Sequence, residues 1–468
     1  MSKLISLKLF YMKNKLKYPS FFLLAIMVLI VLSCGKKDIT KNSKVNSMEE
    51  IQITFDHKTH TLDQNDNFSP DGKFLCYDTR GMIYNNNLAN SKSIEKVEIA
   101  TGKEVVLWNP ESVTGESGAP GVAAVSYHPT ENKVIFIHGP NLNEVAKRGP
   151  YDIRNRNGVV VDGNGKGKIT KIDLRDVTNS PTTPGAQRGG THRHEYSRNG
   201  KRIGFTYDDF IQQDYDRTIG YLEENENAPD GYTHYFAVLL KPAKKGTSKP
   251  GEIEKAYSDS WVGEKGNVRA FIGKVRAENG VDYETSLFVA EISEDVDITT
   301  AYSGDKDTYP TPPKGIKIRR LTHSATENGI VRGSYDGKKI AYLSKDENGI
   351  KQVFVIHTDG SDLSDNPKKK PKQITHFKSD AANIRWHPSD NWIFSISNGK
   401  IYACSITRDK IVLLTPNDLI RNNLVVSPLG DMLAYNVKVS DKNSKLIIDK
   451  KVKKEFDQIF ILQLNNLN

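Results

Sequence analysis

An all-β chain folded as a seven-bladed β-propeller is what this sequence predicts, and three observations predict it. A degenerate phrase recurs along the chain: Phe68-Ser-Pro-Asp-Gly-Lys-Phe-Leu-Cys-Tyr77, Tyr127-His-Pro-Thr-Glu-Asn-Lys-Val-Ile-Phe136, Tyr196-Ser-Arg-Asn-Gly-Lys-Arg-Ile-Gly-Phe205, Gly333-Ser-Tyr-Asp-Gly-Lys-Lys-Ile-Ala-Tyr342, Trp386-His-Pro-Ser-Asp-Asn-Trp-Ile-Phe394 and Val426-Ser-Pro-Leu-Gly-Asp-Met-Leu-Ala-Tyr435. Each copy reads as a strand end, a polar tight turn and a second, alternating strand. Hairpins at spacings of roughly 40–70 residues mark a propeller, one per blade. Pro, Gly, Asn and Asp punctuate at short intervals, and no long stretch has the period of an amphipathic helix.

Four antiparallel strands, A to D from the channel outward, are expected in each blade. Blade 1 runs from Phe68 to Trp108, blade 2 from Val122 to Leu174 and blade 3 from His192 to Leu240. Blade 4 has the least obvious hairpin, Ala256 to Gly263 then Val268 to Ile272, and closes at Ile318 to His323. Blade 5 closes at Lys372 to His376 and blade 6 near Leu414. Blade 7 supplies Leu424, Met432 and Gln458–Gln463 strands but no fourth. Ile51-Gln-Ile-Thr-Phe55 repeats the outer-strand phrase of Arg320-Leu-Thr-His and Gln373-Ile-Thr-His, so the N-terminal strand is predicted to close blade 7 and leave no open edge. Residues 51–468 then form a single domain.

The first 33 residues read as an address. Lys13, Lys15 and Lys17 precede an apolar run from Phe21 to Leu32, and Ser33-Cys34-Gly35 follow. The run is shorter than the about 20 residues that span a bilayer, and its flanks are those of a secretory signal. Met12 would give a more typical signal length than Met1. Val31-Leu-Ser-Cys34 resembles a bacterial lipobox, which implies lipidation at Cys34 and attachment to the membrane. No Asp follows Cys34, which in that resemblance implies an outer-membrane lipoprotein, periplasmic or surface-facing. Residues 34–50 read as a polar tether.

The formal charge of the whole chain is +9. Lys3, Lys8, Lys13, Lys15 and Lys17, with no acids, precede Cys34, which leaves +4 for the remainder. Much of that lies between Lys438 and Lys454, a pattern of solvated loops, so nucleic acid is not expected as a partner. Acidic glycans and envelope proteins are. Cys76 and Cys404 fall in predicted strands far apart and are expected to be buried apolar side chains.

A narrower pattern runs through the middle of the chain. Ile135-Phe-Ile-His-Gly-Pro140, Pro184-Gly-Ala-Gln-Arg-Gly-Gly-Thr-His-Arg-His194, Phe205-Thr-Tyr-Asp208, Arg319-Arg-Leu-Thr-His323 and Trp386-His-Pro-Ser389 resemble the YidR-like family of TolB-type propellers. The likeness covers nearly all of the chain after Ile51. The family is largely of unknown function, so it implies the fold and little chemistry.

Topology gathers the polar residues of blades 2 and 3. B–C loops and D-to-A connections share one propeller face; A–B and C–D turns share the other. His138, the loop of Arg148, Tyr151, Asp152, Arg154 and Arg156, the run from Arg188 to His194, and Tyr207, Asp208 and Asp209 are predicted on the first face. His57, His60, His323 and His376 join them, while His128 and His387 fall on the opposite face. Candidate catalytic groups are His138, Tyr151, Arg188 and Tyr207; candidate binding groups are Arg148, Arg154, Arg156, Arg188 and His138. His192 and His194 are two apart on a strand, so regular alternation points both imidazoles the same way, towards a candidate divalent metal. His138, His60, Asp208 or Gln187 would have to complete such a site.

Two functions remain open from the sequence. One is a binding module for a glycan or envelope protein. The other is a metal-assisted polysaccharide lyase or hydrolase: arginines would neutralise a sugar carboxylate and His or Tyr would remove the adjacent proton. Oligogalacturonate lyases are similar in being propellers with a His-x-His metal site. There is no Gly-x-Ser-x-Gly elbow, P-loop or dinucleotide fingerprint.

Overall fold

The computed structural model describes residues 48–63, 65–79, 93–110, 121–165, 167–323, 326–440 and 455–464. Cys34, the signal and residues 441–454 of the lysine-rich stretch lie outside them. Seven sheets follow in chain order. Blade 1 is Phe74–Asp78, Ile94–Glu98 and Glu104–Trp108, its inner edge made by single bridges from Thr61 to Asp78 and Phe68 to Leu75. Blade 2 is Ala123–Tyr127, Lys133–His138, Asn157–Asp162 and Thr170–Lys171. Blade 3 is Gly189–Tyr196, Arg202–Asp209, Thr218–Glu224 and His234–Val238. Blade 4 is Ile253–Val262, Val268–Arg276, Tyr283–Glu291 and Lys317–Arg320. Blade 5 is Arg332–Gly333, Lys339–Lys345, Lys351–His357 and Lys372–Gln373. Blade 6 is Ala381–Trp386, Trp392–Ser397, Lys400–Ser405 and Ile411–Leu413.

Blade 7 joins the two ends of the chain. Arg421–Val426, Met432–Ser440 and Glu455–Gln463 are completed by Glu50–Gln52, with Glu50 opposite Leu462 and Gln52 opposite Phe460. The N-terminal strand therefore closes the ring as its outer-strand phrase predicts. One boundary needs correction. Glu50 belongs to the strand and not to the tether. Its carboxylate accepts hydrogen bonds from Arg421 Nε at 2.7 Å, Arg421 Nη2 at 2.6 Å and Tyr435 Oη at 2.5 Å, which a tether composition does not announce.

The repeated phrase has a mechanical role. In blades 1 and 5 the serine hydroxyl donates to the turn aspartate, Ser69 to Asp71 and Ser334 to Asp336, each at 2.7 Å. Gly72, Gly200, Gly337 and Gly430 then take φ values of 71–75°, where a side chain would be strained. In blade 2 histidine replaces serine: His128 Nδ1 accepts the Glu131 N–H at 3.0 Å. Apolar alternation does the rest. Each blade-to-blade interface holds its own core, from Phe68, Leu75 and Ile459 between blades 1 and 7 to Ile219, Phe271 and Phe288 between blades 3 and 4. Cys76 and Cys404 are unpaired and buried in two of these cores.

Candidate functional site

Strand A does not alternate regularly. Ala124, Arg193, Ser258, Asn383 and Asn423, at equivalent places in blades 2, 3, 4, 6 and 7, have φ between 53° and 58°. The A–B register shifts beside each of them. This is a β-bulge repeated around the channel. It decides the fate of the histidine pair. Glu195 lies opposite Gly204 and His192 opposite Thr206, and those two partners share a face. His192 therefore shares a face with Glu195, while His194 is on the other. The expectation that both imidazoles point one way is overturned by one extra residue, Arg193. His194 is fully buried against blade 2: a Cβ on Gly158 would meet its Nε2 at 2.7 Å, and that nitrogen pairs with Thr191 Oγ1 at 2.9 Å. The two histidines do not fit a shared ion. Among the described residues no three His, Cys, Asp or Glu side chains form a metal-ligand group.

His194 has a consequence for acid stability. Burial, then the charges of Arg156 and Arg269, push its imidazole down to about 3. The unfolded chain binds a proton near 6.5. Between those values the unfolded state holds more protons, so stability is complete above pH 6.5 and is lost as pH falls towards 3. His138 and His234, both pushed down to about 4 chiefly by burial, act in the same sense. Asp173, pushed up to about 7 by burial, acts oppositely, gaining stability as pH falls below 7. We expect His194→Gln to flatten the loss of stability between pH 7.5 and 5 in urea titrations. An unchanged difference would contradict the neutral buried imidazole.

The remaining blade 2–3 candidates mostly hold the fold together. Arg188 is fully buried; it donates to Asp209 at 2.9 Å, to the Thr308 carbonyl at 3.0 Å and to the Asp305 carbonyl. Gly189 and Gly190 are where backbones meet: an added Cβ would lie 2.0 Å from the Asp208 carbonyl oxygen and 2.1 Å from that of Ile153. The Arg-Gly-Gly run is thus a clasp across blades 2, 3 and 4. Tyr207 is buried and donates to Asp209 at 2.9 Å. Asp208 pairs with Arg217 at 2.7 Å, and Gln187 accepts the Gly189 N–H at 2.8 Å. Arg148 donates to Asn155 and Asn157 at 2.7 and 2.9 Å, Arg154 to the Asp209 carbonyl at 3.0 Å, and Arg156 to Tyr151 Oη at 2.7 Å. His138 is buried beside Trp108, its Nδ1 2.5 Å from the Gly139 carbonyl oxygen. His60 is buried at the blade 1–7 boundary, 3.2 Å from Glu104, far along the ring from His192 in topology.

A concave site is present at the other end of the channel. A cavity of about 460 Å³ opens among the A–B turns. Its wall is a ring: Phe68, Tyr127, Tyr196, Trp261, Gly333, Trp386 and Val426, one from each blade. Six of the seven are the first residue of a copy of the repeated phrase. Just inside lie Glu195, Ser260, Arg332 and Arg385, the residue preceding the ring in four successive blades. Glu195 is bound by Ser260 Oγ at 2.8 Å, Arg269 at 3.1 Å and Arg332 at 3.2 Å. Burial opposes its charge, but Arg269, Arg193 and Arg332 outweigh burial and hold its carboxyl down at about 2. Arg385 donates to the Leu424 and Asn65 carbonyls at 2.9 and 2.8 Å and lies 3.4 Å from Asp66 at the mouth. Trp261 and Trp386 donate their indole N–H groups to the Glu195 and Arg332 carbonyls at 3.0 and 2.8 Å.

Seven sheets in chain order, the last completed by the N-terminal strand, define a β-propeller. Residues 121–229 match the family described as protein of unknown function DUF3748. The chain is 32% identical over 417 residues to the uncharacterized protein YidR of Escherichia coli (strain K12), covering 82% of this chain and 94% of that protein. It belongs to the YidR family. Among solved structures it is similar to TolB from Acinetobacter baumannii, with TM-score 0.39 and 11% identity over 84% of this chain and 81% of that one. It is also similar to a Mycobacterium tuberculosis puromycin-hydrolyzing peptidase, with TM-score 0.46 and 11% identity over 79% of this chain and 51% of that one.

Proposed function

We propose that this protein is a lipid-anchored binding module of the bacterial outer membrane, which recognises a glycan or envelope protein without transforming it. The observation that carries the reading is the channel-end cavity, where every blade contributes one wall residue and blades 3 to 6 contribute a polar floor. Convergence of aromatic walls and a few polar groups is the usual form of a recognition pocket. The arginines and tyrosines that would have served a lyase in blades 2 and 3 are engaged in hydrogen bonds within the fold, and its histidine pair is divided between two faces. The signal and Cys34 support the anchor.

Photo-cross-linking in cells tests the site. A benzophenone side chain in place of Glu264 at the cavity mouth should capture a glycan or envelope protein. The same group in place of Lys378, in a D-to-A connection of the opposite face, should not. Capture from Lys378 alone would move the recognition surface to the other face. Cys34→Ala should release the protein from the membrane fraction; retention there would remove the lipid anchor from the reading.

A further inference from the structure

We infer that the channel cavity takes an organic anion: a carboxylate on an apolar or aromatic body, the carboxylate meeting Arg332 and Arg385 and the body lying against Trp261, Trp386 and Tyr335. The inference rests on the binding-module reading and adds the chemistry of the ligand.

Charge carries the first part. Arg332 and Arg385 line the cavity, and Arg193 and Arg269, buried behind it, belong to the same electrostatic network with the carboxylates of Glu195, Asp259 and Asp66. Glu195 is shared between Arg269 and Arg332, and Asp259 accepts from Arg269 at 2.5 Å. Asp66 stands at the mouth with half its side chain in solvent. One guanidinium is therefore in excess. Arg193, itself nine-tenths buried, donates Nη1 to the Asp259 carbonyl at 2.7 Å, while its Nε and Nη2 have no hydrogen-bond partner. Burial and the neighbouring guanidinium charges of Arg385 and Arg193 push Arg332 well below the usual guanidinium value. Uncompensated buried cations are costly, and a planar carboxylate is an anion that a guanidinium can hold through two parallel hydrogen bonds.

Shape carries the second part. The indole N–H groups of Trp261 and Trp386 are already bonded to backbone carbonyls, so these rings offer the ligand apolar surface and no donors. Between them blade 5 places Gly333, which has no side chain to fill the ring. A Cβ there would lie 2.4 Å from the Val262 Cα, so the glycine is what lets blades 4 and 5 pack closely at the wall. Arg332, the preceding residue of the same strand, lines the cavity beside it. Tyr335 lines the mouth with Arg198 3.9 Å above its ring. At about 460 Å³ the cavity is within the range of small-ligand sites.

Calorimetry on the full chain in detergent tests this with 3-phenylpropionate, its neutral amide, glucuronate, and Gly-Gly-Phe with a free or an amidated C-terminus. We expect each aromatic carboxylate to bind at least tenfold tighter than its amide, and glucuronate at least tenfold more weakly than 3-phenylpropionate. Arg385→Gln and Arg193→Gln should each weaken carboxylate binding at least tenfold, and the exposed Lys378→Gln should leave it unchanged. The ratio between tripeptide and free acid tells whether the natural source is a chain terminus or a small molecule. If the arginine variants do not fold, the acid-against-amide comparison in the unaltered chain decides alone. Equal binding of acid and amide would overturn the anion while leaving the cavity as a binding site. Tighter binding of glucuronate would replace the apolar body with a sugar acid. No binding of any probe would overturn the inference, and the Glu264 cross-link would still judge the binding module separately.

Discussion

Arg269→Ala is expected to destabilise the propeller by about 3–5 kcal/mol, the cost typical of removing one partner from a buried ion pair. Arg269 is fully buried between blades 3 and 4, with Glu195 at 3.1 Å and Asp259 at 2.5 Å. Alanine would leave buried Asp259 without its guanidinium and Glu195 with only Ser260 and Arg332. The same loss should appear in the acid limb. Glu195 is held at about 2 in the fold against 4.5 as a free group, so its contribution is present above pH 4.5 and is lost as pH falls towards 2. Without Arg269 that contribution is already reduced at neutral pH, so the loss caused by Arg269→Ala should shrink as pH falls below 4.5. Urea titration at pH 7.5 and about 3, followed by tryptophan fluorescence, measures both. Adding Glu195→Gln and Asp259→Asn to Arg269→Met should recover part of the loss, because the penalty belongs to unpaired charge. A single-variant loss under about 1 kcal/mol, as for an exposed pair, would sink the account.

The propeller was legible because its signals are local. A Ser or His that locks the A–B turn, a left-handed glycine and an alternating strand B all fall within one short phrase, and Ile51-Gln-Ile-Thr carries the outer-strand phrase that closes blade 7. The candidate site was legible only in part. Alternation assigns His192 and His194 to one face, but the bulge at Arg193 reverses that parity. Nothing in residue type announces it, since Ala124, Arg193 and Ser258 adopt the same backbone as Asn383 and Asn423. The Arg188-Gly-Gly run reads as chemistry because it is distinctive, yet its glycines answer to the carbonyl oxygens of Asp208 in the next strand and Ile153 in a blade 2 loop, a demand set by tertiary packing. The cavity wall did have a signal. Five of the seven wall positions are aromatic, and six begin the repeated phrase, but an apolar strand-end residue reads as core until the ring is closed.

Closure itself gives the second large effect. A chain that begins at Ile53, and so lacks Glu50–Gln52, is expected to lose about 3–5 kcal/mol, the cost typical of breaking a buried ion pair, and to self-associate. The energetic part comes from Arg421, fully buried and bonded to Glu50 at 2.6 and 2.7 Å. Burial opposes the charge of Glu50, but Arg421 and Tyr435 outweigh it and hold the carboxyl below its ordinary value, so removing the strand leaves a guanidinium without its counter-charge. The associative part comes from Glu455–Gln463, whose outer edge would present unpaired N–H and C=O groups to another copy. The two parts can be separated. Arg421→Met in the shortened chain removes the stranded charge and should restore stability by a few kcal/mol, while leaving the open edge and the association seen by size-exclusion chromatography. Glu50→Gln in the intact chain should do the reverse, lowering stability with no change in oligomeric state. A shortened chain that stays monomeric and as stable as the original would mean that the sheet of blade 7 holds with three strands, and that the N-terminal strand decorates the ring without closing it.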